Sequence, residues 1–337
     1  MKAVVVHKPF DYGVYDLPVP EPPAGWARIR ILTAAFCATD LEVLSGQIKA
    51  KYPLTIGHEW CGVVDKVNGA GGELVGMRVA GSNDVCCLTC RACRSGLWRN
   101  CPSFGEIGFA YDGAYAEYML APVYALRPLP DNISDIQAAM LEPLGVAVGT
   151  LDKLGAKLGD TMLIIGAGSI GLNMLAVARA SGLRRITVME RSGGRLDIAK
   201  SMGAAYTIAS AHVDAEAELK AIYPDGPDII VDCTGTEACN QLAFRIAPKS
   251  GRVALAGYGA QKDFSIHIDD IHIKNLRVYG SGNNWNVIDA CVDLVADGVI
   301  STEHLCSRIL RIDQFEEAVR LASAREPGFV KTVFDFR

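Results

Sequence analysis

Cys87, Cys90, Cys93 and Cys101 follow one another as CxxCxxCx7C, a spacing that lets one short lobe wrap four thiolates around a single ion. Four soft ligands in a tetrahedron suit zinc and leave no position open, so such an ion organises a loop and performs no chemistry. Cys86, directly before the first of them, is a spare thiol. Redox-active CxxC thiols are the alternative, disfavoured because the segment does not follow a strand of a thioredoxin-like unit.

A second set of candidate ligands is scattered: Cys37 in FCATD, the His58–Glu59 pair in IGHEW, and Glu142 in LEPLG. Each alone has an ordinary explanation, since a lone buried Cys packs as a small hydrophobe, a lone His is often structural, and a Glu can charge a helix start. Together, one thiolate, one imidazole and carboxylates make a mixed set able to hold zinc while leaving a position for water or a substrate oxygen. An open zinc is a Lewis acid. Beside a nicotinamide it would polarise a carbinol oxygen and stabilise the alkoxide from which hydride leaves.

The nicotinamide is suggested by GAGSIG at 166–171, which fits GxGxxG. The pattern is weak alone, but here Gly166 follows the apolar run MLII and Gly171 opens a helical stretch. The turn would bring backbone N–H groups of Gly166, Gly168, Ser169, Ile170 and Gly171 against a pyrophosphate at a helix N-terminus, where the dipole favours anions. Glu190 lies about twenty residues on, the offset expected for an acid bonding the ribose hydroxyls of NAD. Arg191 and Arg195 temper that preference, because a guanidinium could instead accept the ribose phosphate of NADP or stack over adenine.

The elements that must position these groups fall into two styles. Residues 1 to about 140 carry short runs rich in Val, Ile, Gly and Pro, such as WARIRILTAAF, CGVVDKV and AYAEYMLA, which is β-rich punctuation. From about 160, apolar runs alternate with helical stretches: TMLIIGAG, IGLNMLAVARASG, RITVME, RLDIAKSMGA, DIIVDCTG, QLAFRIAPKSG, RVALAGYG and NLRVYGSG. That rhythm predicts roughly six strands in one parallel, doubly wound sheet. Beyond Gly282, DACVDLVADGVI reads as an amphipathic helix and the terminal KTVFDF as a strand returning elsewhere.

Length and composition agree with a two-domain enzyme. The chain has 337 residues, half of them apolar and a fifth charged, enough for large cores and too little polar bias for disorder. A net charge of -5 with no long Lys/Arg run makes nucleic acid an unexpected partner. The N-terminal apolar stretch breaks at Pro9 and no later run reaches spanning length, so no membrane role is expected and the chain reads as cytoplasmic. Eleven cysteines, an odd number with five crowded into 86–101, point to metal and not to a disulfide framework.

In this order, CATD, GHE, a four-Cys lobe, LEP and a dinucleotide turn, the chain resembles the zinc-dependent medium-chain dehydrogenase/reductase family over nearly its whole length. The resemblance implies a β-rich, GroES-like catalytic domain built from both chain ends (1–145 and 283–337) around an inserted Rossmann domain (146–282). It implies Cys37 and His58 as direct ligands of a catalytic zinc, with Glu59 and Glu142 as ligands that come and go. Thr39 takes the position of a proton relay, although a hydroxyl there serves equally well as a local turn residue. Thr234, Gly235 and Gly257 match strand ends lining the cofactor site. Glu142 stands where ethanol dehydrogenases carry another Cys, which resembles the sorbitol and polyol branch. More narrowly, GHEWCG, VNGAGGELVG, EIGFAYDGAYAEYM and LRPLPD are similar to the aminocyclitol dehydrogenases of aminoglycoside antibiotic biosynthesis. One departure is Ala38 in CATD, where Gly is commoner, so backbone approach beside the metal is expected to be slightly restricted. Phe109, Trp285 and Trp60 are loosely placed candidates for the substrate pocket.

The family's last sheet strand often pairs across a dimer axis, and NLRVYGSG has that character, implying a homodimer or homotetramer. Three readings compete. One is a sorbitol-like, xylitol-like or threonine-like dehydrogenase with the same mechanism. The others are a zinc-free NADPH-dependent reductase of the same superfamily and a zinc-stabilised binding protein without catalysis.

Overall fold

A computed structural model describes all residues except 192, 283–286 and 325; the pocket candidate Trp285 therefore lies outside the described residues. The chain divides into two compact units, Met1–Glu142 with Asn284–Ala324 and Lys331–Arg337, and Pro143–Asn283 with Arg325–Val330. The expected division differs from this at 143–145, at 283 and at 325–330, which group with the second unit.

The first unit is built on a seven-stranded sheet. Its path runs Leu126–Pro128, Arg78–Gly81, Glu59–Asn68, Trp26–Ala35, Lys331–Asp335, Cys306–Leu310, and Tyr118–Pro122 also pairs with Trp26–Ala35. The alternating sequence WARIRIL drives its inward residues, Ala27, Ile29 and Ile31, into the core. Trp26–Ala35 runs antiparallel to Glu59–Asn68 from Trp26↔Asn68 to Ala35↔Glu59, with irregularities at Arg28/Ile29 and Ile31/Thr33 that bend the pair. A smaller sheet orders Asp11–Asp16, Lys2–Lys8 and Leu54–Thr55. The terminal KTVFDF run is the strand Lys331–Asp335, inserted between Trp26–Ala35 and Cys306–Leu310; the helix Phe315–Ala324 connects it to the latter.

Beneath one end of this sheet lies an aromatic core. Phe36 stacks on Tyr115 with centroids 6.1 Å apart, and Phe315 and Phe334 meet both rings at between 5.2 and 6.5 Å. Two glycines let the chain pass over it. Gly57 holds φ +100, and a Cβ there would sit 2.5 Å from the Tyr115 ring; a Cβ on Gly113 would sit 2.1 Å from the Gly57 carbonyl oxygen. The turn before His58 is thus clamped onto 113–115 by backbone bonds, among them Ala114 N–H to Gly57 O at 2.9 Å and Tyr115 N–H to Ile56 O at 3.0 Å.

The second unit is the expected doubly wound domain. Six parallel strands lie in the order Tyr206–Ala209, Arg185–Glu190, Thr161–Ile165, Ile229–Asp232, Arg252–Leu255, Arg277–Gly280. Strand order reverses between Thr161–Ile165 and Ile229–Asp232, where a doubly wound sheet opens a crevice at its carboxyl ends. The central strands are buried on both faces, as their unbroken apolar sequences require. The helix Ile288–Ala296 realises the DACVDLVADGVI pattern in the first unit, with Ile288, Cys291, Val292 and Val295 buried.

Candidate functional site

Cys37 ends the run from the Trp26–Ala35 strand and sits at the N-cap of the helix Ala38–Leu44. Its N–H donates to Asp40 Oδ2 at 3.0 Å, so the CATD motif closes on itself and fixes the thiol's direction. His58 and Glu59 arrive from the Gly57 turn and the first residue of the paired strand, where register places Glu59 opposite Ala35. Ligand atoms of Cys37, His58 and Glu59 all lie within 4.8 Å of one another. Glu142, in the first turn of the helix Leu141–Leu154, falls outside that group, yet its charge helps raise the Lys331 pKa. Thr39 Oγ1 is 3.3 Å from Cys37 Sγ, in reach of the relay role. Ala38 is exposed to solvent. Among the pocket candidates, Phe109 lies against the His58 ring with centroids 5.0 Å apart, and Trp60 is buried.

Two residues without an assigned role in the sequence prove central. Asp40 is fully buried; its Oδ1 is 3.4 Å from His58 Nδ1, and its Oδ2 accepts from the Tyr115 hydroxyl. The Asp40–His58 contact falls short of hydrogen-bond geometry, and both atoms are otherwise buried without a partner. A ring presenting Nδ1 to a carboxylate presents Nε2 to the ligand set, the arrangement that orients a metal-binding imidazole. Burial works against a charged His58, but the neighbouring Cys37 and Asp40 together raise its pKa well above the usual value. A cation at this site would satisfy the same attraction that here draws a proton.

Lys331 is the second. Its ammonium, 3% exposed, bonds both oxygens of Glu59, which is 0% exposed. Burial disfavours the ammonium, but Glu59 and then Cys37 raise its pKa overall. Glu59 is therefore already held by a charge partner and can contact a metal only by sharing its carboxylate. CATD carried a signal for Asp40; nothing local in KTVFDF marks Lys331, because its partner lies 272 residues away.

The four-Cys lobe gathers as its spacing requires. Ligand atoms of Cys87, Cys90, Cys93 and Cys101 lie within 4.8 Å of one another, with Cys87–Cys101 at 3.5 Å and Cys87–Cys93 at 4.0 Å between sulfurs. A tetrahedron with zinc–sulfur bonds of about 2.3 Å sets sulfurs about 3.8 Å apart, so the four fit one zinc ion. Backbone N–H groups already point at the sulfurs, Cys90 N–H to Cys87 Sγ and Cys93 N–H to Cys90 Sγ at 3.4 Å each. N–H groups of Thr89 and Cys90 pull the Cys87 thiol down to about 6, whereas burial pushes Cys93 up to about 12. Cys86 turns its sulfur toward the Trp98 carbonyl at 3.6 Å and stands outside the group.

In the second unit the glycine turn takes the shape that dinucleotide binding needs. Gly166 holds φ +99, Gly168 caps the helix Ser169–Ala180, and a Cβ on Gly171 would sit 1.8 Å from the Gly166 carbonyl oxygen. Ser169 Oγ is buried with no hydrogen-bond partner, and Gly168, Ser169 and Ile170 are half-buried at the helix start. Glu190 Oε2 accepts the Ala167 N–H at 2.9 Å and Oε1 the Arg191 N–H at 2.8 Å. Arg195 lies beside it, 3.8 Å from Oε2, while Arg191 is exposed. Across the switch point, Thr234 donates its N–H and hydroxyl to Asp232 Oδ1 at 2.8 and 2.6 Å, and Gly257 packs so closely on Gly235 that a Cβ would meet its nitrogen at 1.9 Å. Asp232, fully buried within VDCTG, organises this loop although nothing local in the motif marks it; burial raises its pKa against the bonds from Thr234 and Asn240.

Comparison with known proteins bears on both units. Residues 23–131 match the alcohol dehydrogenase GroES-like domain family and residues 169–297 the zinc-binding dehydrogenase family. L-threonine 3-dehydrogenase of Pyrococcus furiosus is 33% identical, over 99% of this chain and 98% of that one. Sorbitol dehydrogenase of Bacillus subtilis is 29% identical, over 96% of this chain and 93% of that one. An Escherichia coli alcohol dehydrogenase solved with NADH superposes with a TM-score of 0.94 at 27% identity, covering 100% of this chain and 99% of that one.

Two measurements probe these sites. Lys331→Met strands the Glu59 charge in the interior and is expected to cost about 3–5 kcal/mol in urea unfolding, with much of the loss recovered in Lys331→Met/Glu59→Gln. A double variant no more stable than the single one would show that the ion pair is not the source. Cys37→Ser and His58→Ala are each expected to abolish turnover and remove one zinc by elemental analysis with little change in thermal midpoint. Cys93→Ser should remove the other zinc and lower the midpoint; equal destabilisation by all three would contradict this division.

Proposed function

The chain belongs to the zinc-dependent medium-chain dehydrogenases, and on that premise we propose that it oxidises a secondary hydroxyl of a polyhydroxylated small molecule to a ketone, with NAD as hydride acceptor. The observation that carries this reading is the grouping of half-buried Cys37 with buried His58 and Glu59 within 4.8 Å, one soft, one imidazole and one hard donor. Such a set suits zinc and leaves a coordination position open. When bound, zinc and nicotinamide supply Lewis acidity toward the substrate hydroxyl and a hydride acceptor.

The chain's own residues do the rest. Asp40 holds His58 in the ring orientation its ligand role needs, and Lys331 limits how far Glu59 can advance. Thr39 Oγ1, beside the Cys37 sulfur, is placed to accept the hydroxyl proton and pass it on. Glu190, fixed by two backbone N–H groups, keeps acceptor capacity for the two ribose hydroxyls of NAD.

The substrate we propose is an aminocyclitol, 2-deoxy-scyllo-inosamine, oxidised to 3-amino-2,3-dideoxy-scyllo-inosose in aminoglycoside biosynthesis. Support comes from GHEWCG, VNGAGGELVG, EIGFAYDGAYAEYM and LRPLPD, together with Glu142 in LEP. The sorbitol and threonine dehydrogenases among the relatives favour a second reading, a linear polyol or amino alcohol. NADH formation by the zinc-loaded protein on the aminocyclitol, sorbitol and threonine separates the two: dominant aminocyclitol turnover is expected. Turnover of sorbitol or threonine alone would keep the chemistry and overturn the substrate.

We also propose that the protein assembles as a homodimer or homotetramer through the outer edge of Arg277–Gly280. It is the last strand of its sheet, and Val278 on it is 38% exposed. Sedimentation velocity should show a dimer or larger, reduced toward monomer by Val278→Pro. A wild-type monomer would rule out assembly, and an unchanged Val278→Pro oligomer would rule out this edge.

A further inference from the structure

A short segment near the C-terminus packs on the first turn of the helix Gly194–Ser201, which follows Glu190 and Arg191. Glu326-Pro327-Gly328-Phe329 closes a β-turn through Phe329 N–H to Glu326 O at 3.1 Å, with Gly328 at φ +80 as a type II turn needs after a proline. The turn lies against Gly194 so closely that a Cβ there would sit 2.4 Å from Gly328 N and 2.8 Å from the Pro327 carbonyl carbon. The next residue of that helix, Arg195, donates Nε to the Phe329 carbonyl at 2.7 Å while its Nη1 stays 3.8 Å from Glu190 Oε2.

We infer that the Pro327–Phe329 turn is part of the cofactor site and sets its preference for NAD over NADP by holding Arg195 inward against Glu190. This rests on the dinucleotide reading given above. An adenosine 2′-phosphate would bring close to two negative charges to a place where Glu190 cannot swing aside, because Ala167 and Arg191 N–H groups hold both its oxygens. Accepting that phosphate requires a guanidinium presented outward as a fork. Arg195 is the group within reach of the ribose position, and the Phe329 carbonyl takes its Nε donor and fixes its plane. With the turn docked, the positive charge offsets Glu190; with the turn displaced, Arg195 is released beside the exposed Arg191 to meet a phosphate. Arg195 is thus a positioning residue under the control of a backbone carbonyl, and Gly194 and Gly328 are the two residues that let the carbonyl come near.

The test is titration of the full-length, zinc-loaded protein with NADH and NADPH, followed by nicotinamide fluorescence. Wild type should prefer NADH. Gly194→Ala should weaken NADH and strengthen NADPH relative to it, shifting the ratio of dissociation constants by about tenfold or more. Gly328→Ala, which strains the same turn from its other side, is expected to shift the ratio the same way and serves if Gly194→Ala does not fold. Adding Arg195→Gln to either variant should abolish the NADPH gain. A ratio unchanged from wild type in the glycine variants would overturn the inference, as would a gain that survives Arg195→Gln. A wild type that binds neither dinucleotide would overturn the proposed function itself, a result distinguishable from both.

Discussion

Beside half-buried Cys37 the structure gathers an imidazole, two carboxylates and an ammonium, all four buried, so every charge must be met by another. A buried ion stripped of its counter-charge costs several kcal/mol, while a pair within bonding distance offsets most of that penalty. Lys331 answers Glu59 at bonding distance, and Asp40 faces His58 across 3.4 Å, just outside hydrogen-bond geometry. These pairings explain why the sheet takes its particular order. The strand Lys331–Asp335 must lie beside Trp26–Ala35 for Lys331 to reach Glu59 on the next strand over, and it does so through the register Val333↔Ala35. A terminal strand with modest apolar content thereby becomes indispensable to a site built near the other end of the chain.

The second unit follows a different constraint, the need for backbone to approach a ligand and for one loop to approach another. Its working residues are mostly glycines and the carboxylates that direct nearby N–H groups. Asp232 gathers the Thr234 N–H and hydroxyl and the Asn240 amide, while Glu190 gathers the Ala167 and Arg191 N–H groups. Both acids terminate strands flanking Thr161–Ile165, one on each side of it. The same chemical device therefore shapes both loops beside the glycine turn.

What the sequence revealed, and what it hid, follows from distance along the chain. The CxxCxxCx7C lobe, the GAGSIG turn with Glu190, and the doubly wound rhythm are local patterns, and each was legible because spacing alone constrains geometry. Donor chemistry grouped Cys37 with His58, Glu59 and Glu142 as a possible mixed set, but which of them are direct ligands rested on the family resemblance, since no spacing rule predicts a strand register 20 residues away. Lys331 was invisible because its meaning depends wholly on Glu59, and a Lys opening a terminal strand is ordinarily solvent-exposed. Asp40 and Asp232 sat inside motifs already noted, but a carboxylate's role is set by which donors fold onto it. The strands Tyr206–Ala209 and Cys306–Leu310 are four and five residues with mixed polarity, too short and irregular to announce themselves.

The two cysteine sites show opposite ways of holding a metal. Cys37 directly follows Phe36, which packs with Tyr115, Phe315 and Phe334 in an apolar core that owes its burial to no ion ligand. The ligand geometry there is inherited from the fold, and the fold loses little if the ion leaves. Between residues 86 and 104 only Cys93 and Cys101 are buried, and Leu88 and Leu97 face solvent. That lobe has no apolar interior to offset the entropy of ordering its backbone. Its N–H to sulfur bonds, such as Cys90 N–H to Cys87 Sγ, direct the thiols without supplying the driving force that burial would. Backbone N–H groups draw Cys87 toward its thiolate while burial holds Cys93 back from it, so the four sulfurs are not equally ready as ligands until a cation favours the ionised form of all of them. A zinc ion bound by the four thiols would supply the folding energy of the lobe, whereas at Cys37 the folding energy of the domain would prepare the site for one.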